Sequence, residues 1–477
     1  MQQIFNAQAY INGKFIDTEQ KLDVLSAIDG EKIGTLPCVS KNHVDLAYEG
    51  SYKAFNVWKG LTPEMRIKKV KEFADIFISN KEFLANLMTL EIGKSYKDSL
   101  SEIQRSYEYI LETIKVYRNE FIAPNVVDHT IHKIENKVGN FYNVPIGVVL
   151  AISPFNYPIN LSISKIIPTI LTGNTVVFKP ATQGALVASY LAKYFEEAKI
   201  IPGVFNLVIG KGSEIGDYIV ENKRIAGCTF TGSTSIGIKI AQKLYMKPLV
   251  LELGGKDCAI VTKNANLSLA AKEIVKGAFG YSGQRCTAIK KVLVLNEVAD
   301  QLIDLILDEA KHLTVGNPLN NVDVVPLIDK KTLDYNLMLK DDAIAHGGKL
   351  IFGGNIVGYN LLEPTIIDEV SSNSKLAWEE PFGPLLPIVR VGTINEAISI
   401  ANASEYGLQG SVFSENETEA LMIAQQLDTG TVNINRSSSR GPDIFPFIGV
   451  KNSGFGVQGI RDSIKAMTRI KGIVINR

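Results

Sequence analysis

Val148-Val-Leu-Ala-Ile152, Thr175-Val-Val-Phe178, Phe205-Asn-Leu-Val-Ile209, Cys228-Thr-Phe-Thr231 and Leu249-Val-Leu-Glu-Leu253 recur along the chain with an amphipathic stretch in every gap. Short β-branched runs at this spacing predict right-handed βαβ units, and so an α/β fold with a parallel sheet covered on both faces. Ligands of such sheets bind beyond the carboxyl ends of the strands, so the residues that follow each run are the candidates for chemistry. Outward from this block, residues 63–80 and 81–121 read as long helices over the sheet. Downstream, residues 268–281 and 298–313 read as helices and residues 291–295, 386–391 and 430–435 as strands, which predicts a second α/β domain from about residue 254. Residues 126–142 and 466–476 alternate apolar and polar outside any βαβ unit and predict an antiparallel flap, a surface that invites another subunit.

Composition narrows the partners. The chain has 477 residues, 45% of them hydrophobic, with 50 Lys plus Arg against 50 Asp plus Glu. That balance leaves no basic field for nucleic acid or an anionic membrane, so any anion site is local. Residues 1–14 lack a basic segment followed by an apolar run, and no stretch is apolar enough for a membrane helix, which sets cytoplasmic as the expectation. Cys38, Cys228, Cys258 and Cys286 form no pair or cluster with zinc spacing, so no metal is expected. The five histidines, His129 and His132 among them, adjoin no candidate nucleophile.

Two runs end in glycine-rich helix starts, Gly210-Lys-Gly212-Ser-Glu-Ile-Gly216 and Gly232-Ser233-Thr-Ser-Ile-Gly237. Either one alone is an ordinary tight turn. Together at one sheet they predict a dinucleotide diphosphate held on backbone N–H groups at helix N-termini. Gly283-Gln-Arg285-Cys286 presents a cysteine straight after an arginine, and a cationic neighbour favours the nucleophilic thiolate. Glu252 interrupts an apolar strand just before Gly254-Gly255. It either faces solvent or occupies a site. Asn156, in Pro154-Phe-Asn-Tyr-Pro158, reads on its own as a turn residue.

With Ser153-Pro-Phe-Asn156, Phe178-Lys179-Pro180, Phe230-Thr-Gly232-Ser233, Leu251-Glu-Leu-Gly-Gly-Lys256, Gly283-Gln-Arg-Cys286 and Glu379-Glu-Pro-Phe-Gly-Pro384, almost the whole chain resembles the aldehyde dehydrogenase superfamily. The resemblance implies a cofactor domain (1–125 and 143–253), a catalytic domain (254–450) and oligomerisation segments (126–142 and 451–477), in a homotetramer built from dimers. It makes Cys286 the nucleophile, Glu252 the base that activates water, and the Asn156 amide with the Cys286 N–H the oxyanion donors. It implies that Ser153, Lys179, Gly212, Gly216, Gly232, Ser233, Glu380 and Phe382 hold the cofactor. Many NAD-dependent members have a glutamate where this chain has Thr182. A carboxylate repels a 2′-phosphate and a hydroxyl does not, so NADP is expected, with NAD possible.

Ala151-Ile-Ser-Pro-Phe-Asn-Tyr157, Gly280-Tyr-Ser-Gly-Gln-Arg-Cys286-Thr and Arg440-Gly-Pro-Asp-Ile-Phe-Pro-Phe447 resemble the non-phosphorylating glyceraldehyde-3-phosphate dehydrogenases within that superfamily. That implies a glycolytic, phosphorylated small-molecule aldehyde bound by Arg105, Tyr157, Arg285 and Arg440, since guanidinium groups pair with phosphate oxygens at two points. A carboxylate semialdehyde such as succinate semialdehyde is the alternative substrate. A fold retained as a structural protein is disfavoured by the intact Cys286, Glu252 and Asn156 set, and a cofactor-free thioesterase by the glycine turns.

Overall fold

The computed structural model describes residues 4–128 and 136–476, so His129 and His132 lie outside the described residues. The predicted parallel block forms the centre of an eight-stranded sheet. Its strands lie in the order Gly454–Phe455, Leu249–Glu252, Ile225–Thr231, Val148–Ser153, Thr175–Pro180, Phe205–Leu207, Ala9–Ile11 and Lys14–Ile16. The five middle strands are parallel, while Gly454–Phe455 and Ala9–Ile11 pair with them antiparallel. Strand order reverses between Val148–Ser153 and Ile225–Thr231, and the carboxyl ends there open a crevice.

Period-two alternation decides which face each side chain covers. Val176 and Phe178 point into one core with the helices Pro63–Ser79, Tyr96–Glu120 and Ala185–Glu197, and Val177, Val148 and Leu150 into the other, against Lys41–Trp58 and Gly212–Val220. Phe195 anchors the first core, stacked on Phe73 at 3.9 Å and on Phe205 at 4.4 Å between ring centres. The helix Asn160–Leu171 is buried at every position, its polar residues Asn160, Ser162, Ser164, Lys165 and Thr169 included.

A second, seven-stranded sheet is ordered Lys349–Phe352, Thr365–Asp368, Leu385–Val391, Lys291–Leu295, Cys258–Val261, Gln409–Phe413 and Thr431–Ile434. It is parallel apart from its first strand. A third sheet pairs Thr468–Asn476 with Lys137–Pro145 over nine residues, and Asn125–Val127 completes it. Its outer strand exposes Ile470, Ile473, Val474 and Ile475. No helix among the described residues is long and apolar enough to cross a membrane.

Two readings change. The helix expected over 81–121 is two helices, Lys81–Ile92 and Tyr96–Glu120, because Gly93 ends the first in the left-handed region at φ 68° and Ser95 caps the second. The stretch 451–477 does more than form a flap, since Gly454–Phe455 is the edge strand of the eight-stranded sheet and Ile460–Ala466 is a helix packed on Tyr96–Glu120 and Asn160–Leu171.

Candidate active site

The crevice opens into a cavity of about 520 Å³ whose wall includes Ser153, Asn156, Lys179, Gly212, Gly216, Gly232, Ser233, Glu252, Cys286, Glu380 and Phe382. Residues distant in sequence therefore share one chamber. Two helices, Gly212–Val220 and Thr234–Lys243, begin at this wall, and neither has a side-chain cap. Their first N–H groups are thus left for a ligand, with the positive end of each helix behind them. No atom lies within 4 Å of where a Cβ would stand on Gly212 or Gly216, so the protein's own packing does not demand these glycines. Lys179 is buried, with a hydrogen bond to Pro180 O at 3.3 Å. Burial lowers its pKa to about 8, and an anion placed beside it would raise that pKa and favour the charged ammonium. This chamber fits a dinucleotide.

At its inner end stands Cys286. The helix Leu267–Phe279 runs into Tyr281 and Ser282 at φ 53° and Gly283 at φ 69°, three successive left-handed residues. Two of them carry side chains, so the turn is strained and must be held from outside. Ser282 Oγ donates to Val325 O at 2.6 Å and accepts from Val325 N at 2.7 Å, while the Gln284 amide bonds Pro326 O and Ile328 N. Asn156 Nδ2 donates to Gln284 O at 2.9 Å through one of its two amide hydrogens.

Glu252 ends the strand Leu249–Glu252 and is only 2% exposed. Both of its oxygens are buried without a hydrogen-bond partner among the described residues. A buried carboxylate left unpartnered is costly to the fold, and such groups cluster at functional sites. Burial first, and then the charge of Glu252, push the Cys286 thiol well above its ordinary pKa. Lys290 is the cation that acts against them.

That overturns the role expected of Arg285. Its Nη2 donates to Gly277 O at 2.5 Å and reaches Lys276 O, so the guanidinium caps the end of the preceding helix and does not serve the thiol. Arg105, Tyr157 and Arg440, by contrast, come together. Arg105 Nε and Nη2 grip Asp443 at 2.8 Å each, Arg440 Nε lies 4.0 Å from the same carboxylate, and Tyr157 adjoins Arg105. None of the four, and not Thr182, lies in the cavity wall, although Thr182 directly follows Ala181, which does.

A model of the aldehyde dehydrogenase family matches residues 15–473. The chain belongs to the aldehyde dehydrogenase family. An NADP-dependent glyceraldehyde-3-phosphate dehydrogenase of Streptococcus equinus is 44% identical over 98% of this chain and 98% of its own length. The crystal structure of an NADP-dependent glyceraldehyde-3-phosphate dehydrogenase from Bacillus halodurans C-125, complexed with NADP, superposes with a TM-score of 0.96 at 43% identity over 99% of each chain. A glyceraldehyde-3-phosphate dehydrogenase from Methanocaldococcus jannaschii, also complexed with NADP, gives 0.92 at 34% identity over 96% of this chain and all of that one.

This aldehyde dehydrogenase also uses residues the sequence did not single out. Lys94 and Glu102 form an ion pair at 2.6 Å that is almost fully buried. Glu102 accepts from the N–H groups of Ile159 and Asn160, and Lys94 donates to Asn156 O, so the pair pins the Asn156 turn. Removing one partner of such a pair costs about 3 to 5 kcal/mol. Lys165 Nζ donates to Thr231 Oγ1 at 2.6 Å, and burial lowers its pKa to about 7. One signal was available: Lys165 is the single charged residue in the run 159–171.

Proposed function

We infer that this aldehyde dehydrogenase oxidises glyceraldehyde 3-phosphate to 3-phosphoglycerate with NADP and water, without inorganic phosphate. The observation that carries the reading is Cys286 with the buried Glu252 in the wall of one dinucleotide-sized chamber, together with Arg105 and Arg440 gathered on Asp443. The Cys286 thiolate attacks the aldehyde carbon. Asn156 Nδ2 and the Cys286 N–H donate to the resulting oxyanion, and such preorganised donors are worth about 3 to 4 kcal/mol each. NADP, when bound, supplies the hydride acceptor, which leaves the substrate as a thioester on Cys286. Glu252 then takes a proton from water, and the hydroxide attacks the thioester carbon and releases the acid and the thiolate. Lys179, Thr182, Ser153 and the two helix starts would hold the adenosine and diphosphate end, and Glu380 with Phe382 the nicotinamide end.

The test is NADPH formation from glyceraldehyde 3-phosphate with and without inorganic phosphate. Equal rates are expected; strict dependence on phosphate would identify a phosphorylating enzyme and overturn the reading.

Specificity gives a sharper experiment. Arg440→Leu should lower kcat/KM for glyceraldehyde 3-phosphate by about one to two orders of magnitude, the worth of one charged hydrogen bond, and spare unphosphorylated glyceraldehyde. Equal losses on both would remove the phosphate pocket. Better turnover of succinate semialdehyde would promote a carboxylate substrate.

Thr182→Glu should raise KM for NADP by about an order of magnitude through repulsion of the 2′-phosphate, and leave NAD unharmed. An unchanged ratio of the two efficiencies would refute that basis for cofactor choice.

We further propose a homotetramer built through the exposed strand Thr468–Asn476. We place the enzyme in the cytoplasm, where Cys38, Cys228, Cys258 and Cys286, all free thiols, stay reduced.

A further inference from the structure

One buried ammonium lies where three parts of the site meet. Lys290 has a side chain only 2% exposed, and its Nζ donates to Cys286 O and pairs with Glu380 Oε1 at 2.9 Å. The same Glu380 oxygen accepts from Gly255 N at 3.1 Å, in the turn that follows Glu252. The lysine is held in turn, because Lys290 N donates to Asp257 O at 2.9 Å. Packing around the junction is tight: a Cβ on Gly254 would stand 2.4 Å from Glu380 Oε2, and one on Gly255 would stand 3.1 Å from Cys286 O. An apolar residue would fill this space without the desolvation cost of an ion, so a merely structural position has no need of the charge.

We propose that Lys290 is a positioning residue whose ammonium ties the nucleophile's carbonyl to Glu380, and thereby sets both the charge state of Cys286 and the seat of the nicotinamide ribose. The charges that face it are Glu380, Asp257 and Glu252, with Lys256 as the other cation. Glu252 and Asp257 disfavour the Cys286 thiolate, and Lys290 offsets them. The inference rests on reading Cys286 as the nucleophile and Glu380 as the ribose holder. Its test therefore reads labelling and binding, not turnover.

The experiment compares the wild-type chain with Lys290→Met, Lys290→Gln and Lys290→Arg. Alkylation of Cys286 by iodoacetamide is followed against pH by peptide mass, which separates this thiol from the other three. Affinity is measured for NADP and for 2′,5′-ADP, which lacks the nicotinamide ribose. The neutral variants should move the alkylation midpoint up by about one pH unit, or about tenfold slower labelling below it, and Arg should restore it. NADP should bind about tenfold more weakly to the neutral variants while 2′,5′-ADP is unaffected. Unchanged midpoints, or equal losses for both nucleotides, would overturn the proposal. So would a failure of both neutral variants to fold, since that would make the lysine structural alone.

Discussion

Cys286→Ser should lower aldehyde oxidation by roughly three or more orders of magnitude, because a serine hydroxyl stays protonated where a thiol can still ionise. The site offers serine no substitute base, since Glu252 is placed to activate water and the nearest arginine in sequence, Arg285, is spent on helix carbonyls. Folding should survive the change: Cys286 is a free thiol in a turn held by Ser282 and Gln284, whose bonds the substitution leaves intact. The check is NADPH absorbance at saturating aldehyde, with a parallel titration of NADP binding. Retained binding with lost turnover is the expected pair. Turnover within tenfold of wild type would sink the covalent mechanism.

Glu252→Gln should divide the reaction in two. Acylation needs the thiolate, whereas hydrolysis needs the activated water, so the variant should release one NADPH per site in a burst and then slow by about two to four orders of magnitude. The burst itself should not be slower. The charge of Glu252 is among the influences that raise the Cys286 pKa, so its removal should let the thiolate appear at lower pH. Stopped-flow absorbance measures the burst, and alkylation against pH measures the thiol. An absent burst would mean that the carboxylate acts before the thioester forms.

Which parts of this site were legible beforehand follows from the range of the forces involved. The strands around Val148–Ser153 announced themselves because alternation and β-branching are local. Cys286 and Glu252 stood out because each is anomalous in its own segment, whereas Asn156 reads as a turn residue and was picked out only by the resemblance; the structure gathers all three at one cavity. Adjacency misled at Arg285. The left-handed turn at Tyr281, Ser282 and Gly283 precedes a side chain that reaches back to the helix carbonyls, and a residue five positions on, Lys290, takes the place beside Cys286. Asp443 was hidden for a different reason: its grip on Arg105 spans more than three hundred residues, and no pattern within either segment encodes it. The break at Gly93 was missed although its signal is local, since Gly93 and, two residues on, the capping Ser95 mark a helix end and a helix start.

The strand that ends in Glu252 has its outer edge closed by Gly454–Phe455, and Leu253 N donates to Ser453 O at 2.9 Å. During synthesis that edge stays bare long after the first sheet's other strands have left the ribosome. An open β edge is a template for pairing with other chains, so the half-made protein is at its most vulnerable to aggregation in this interval. Activity should also switch on late: a polypeptide stalled between codons 286 and 454 already carries Cys286, yet Glu252 hangs on an unfinished edge.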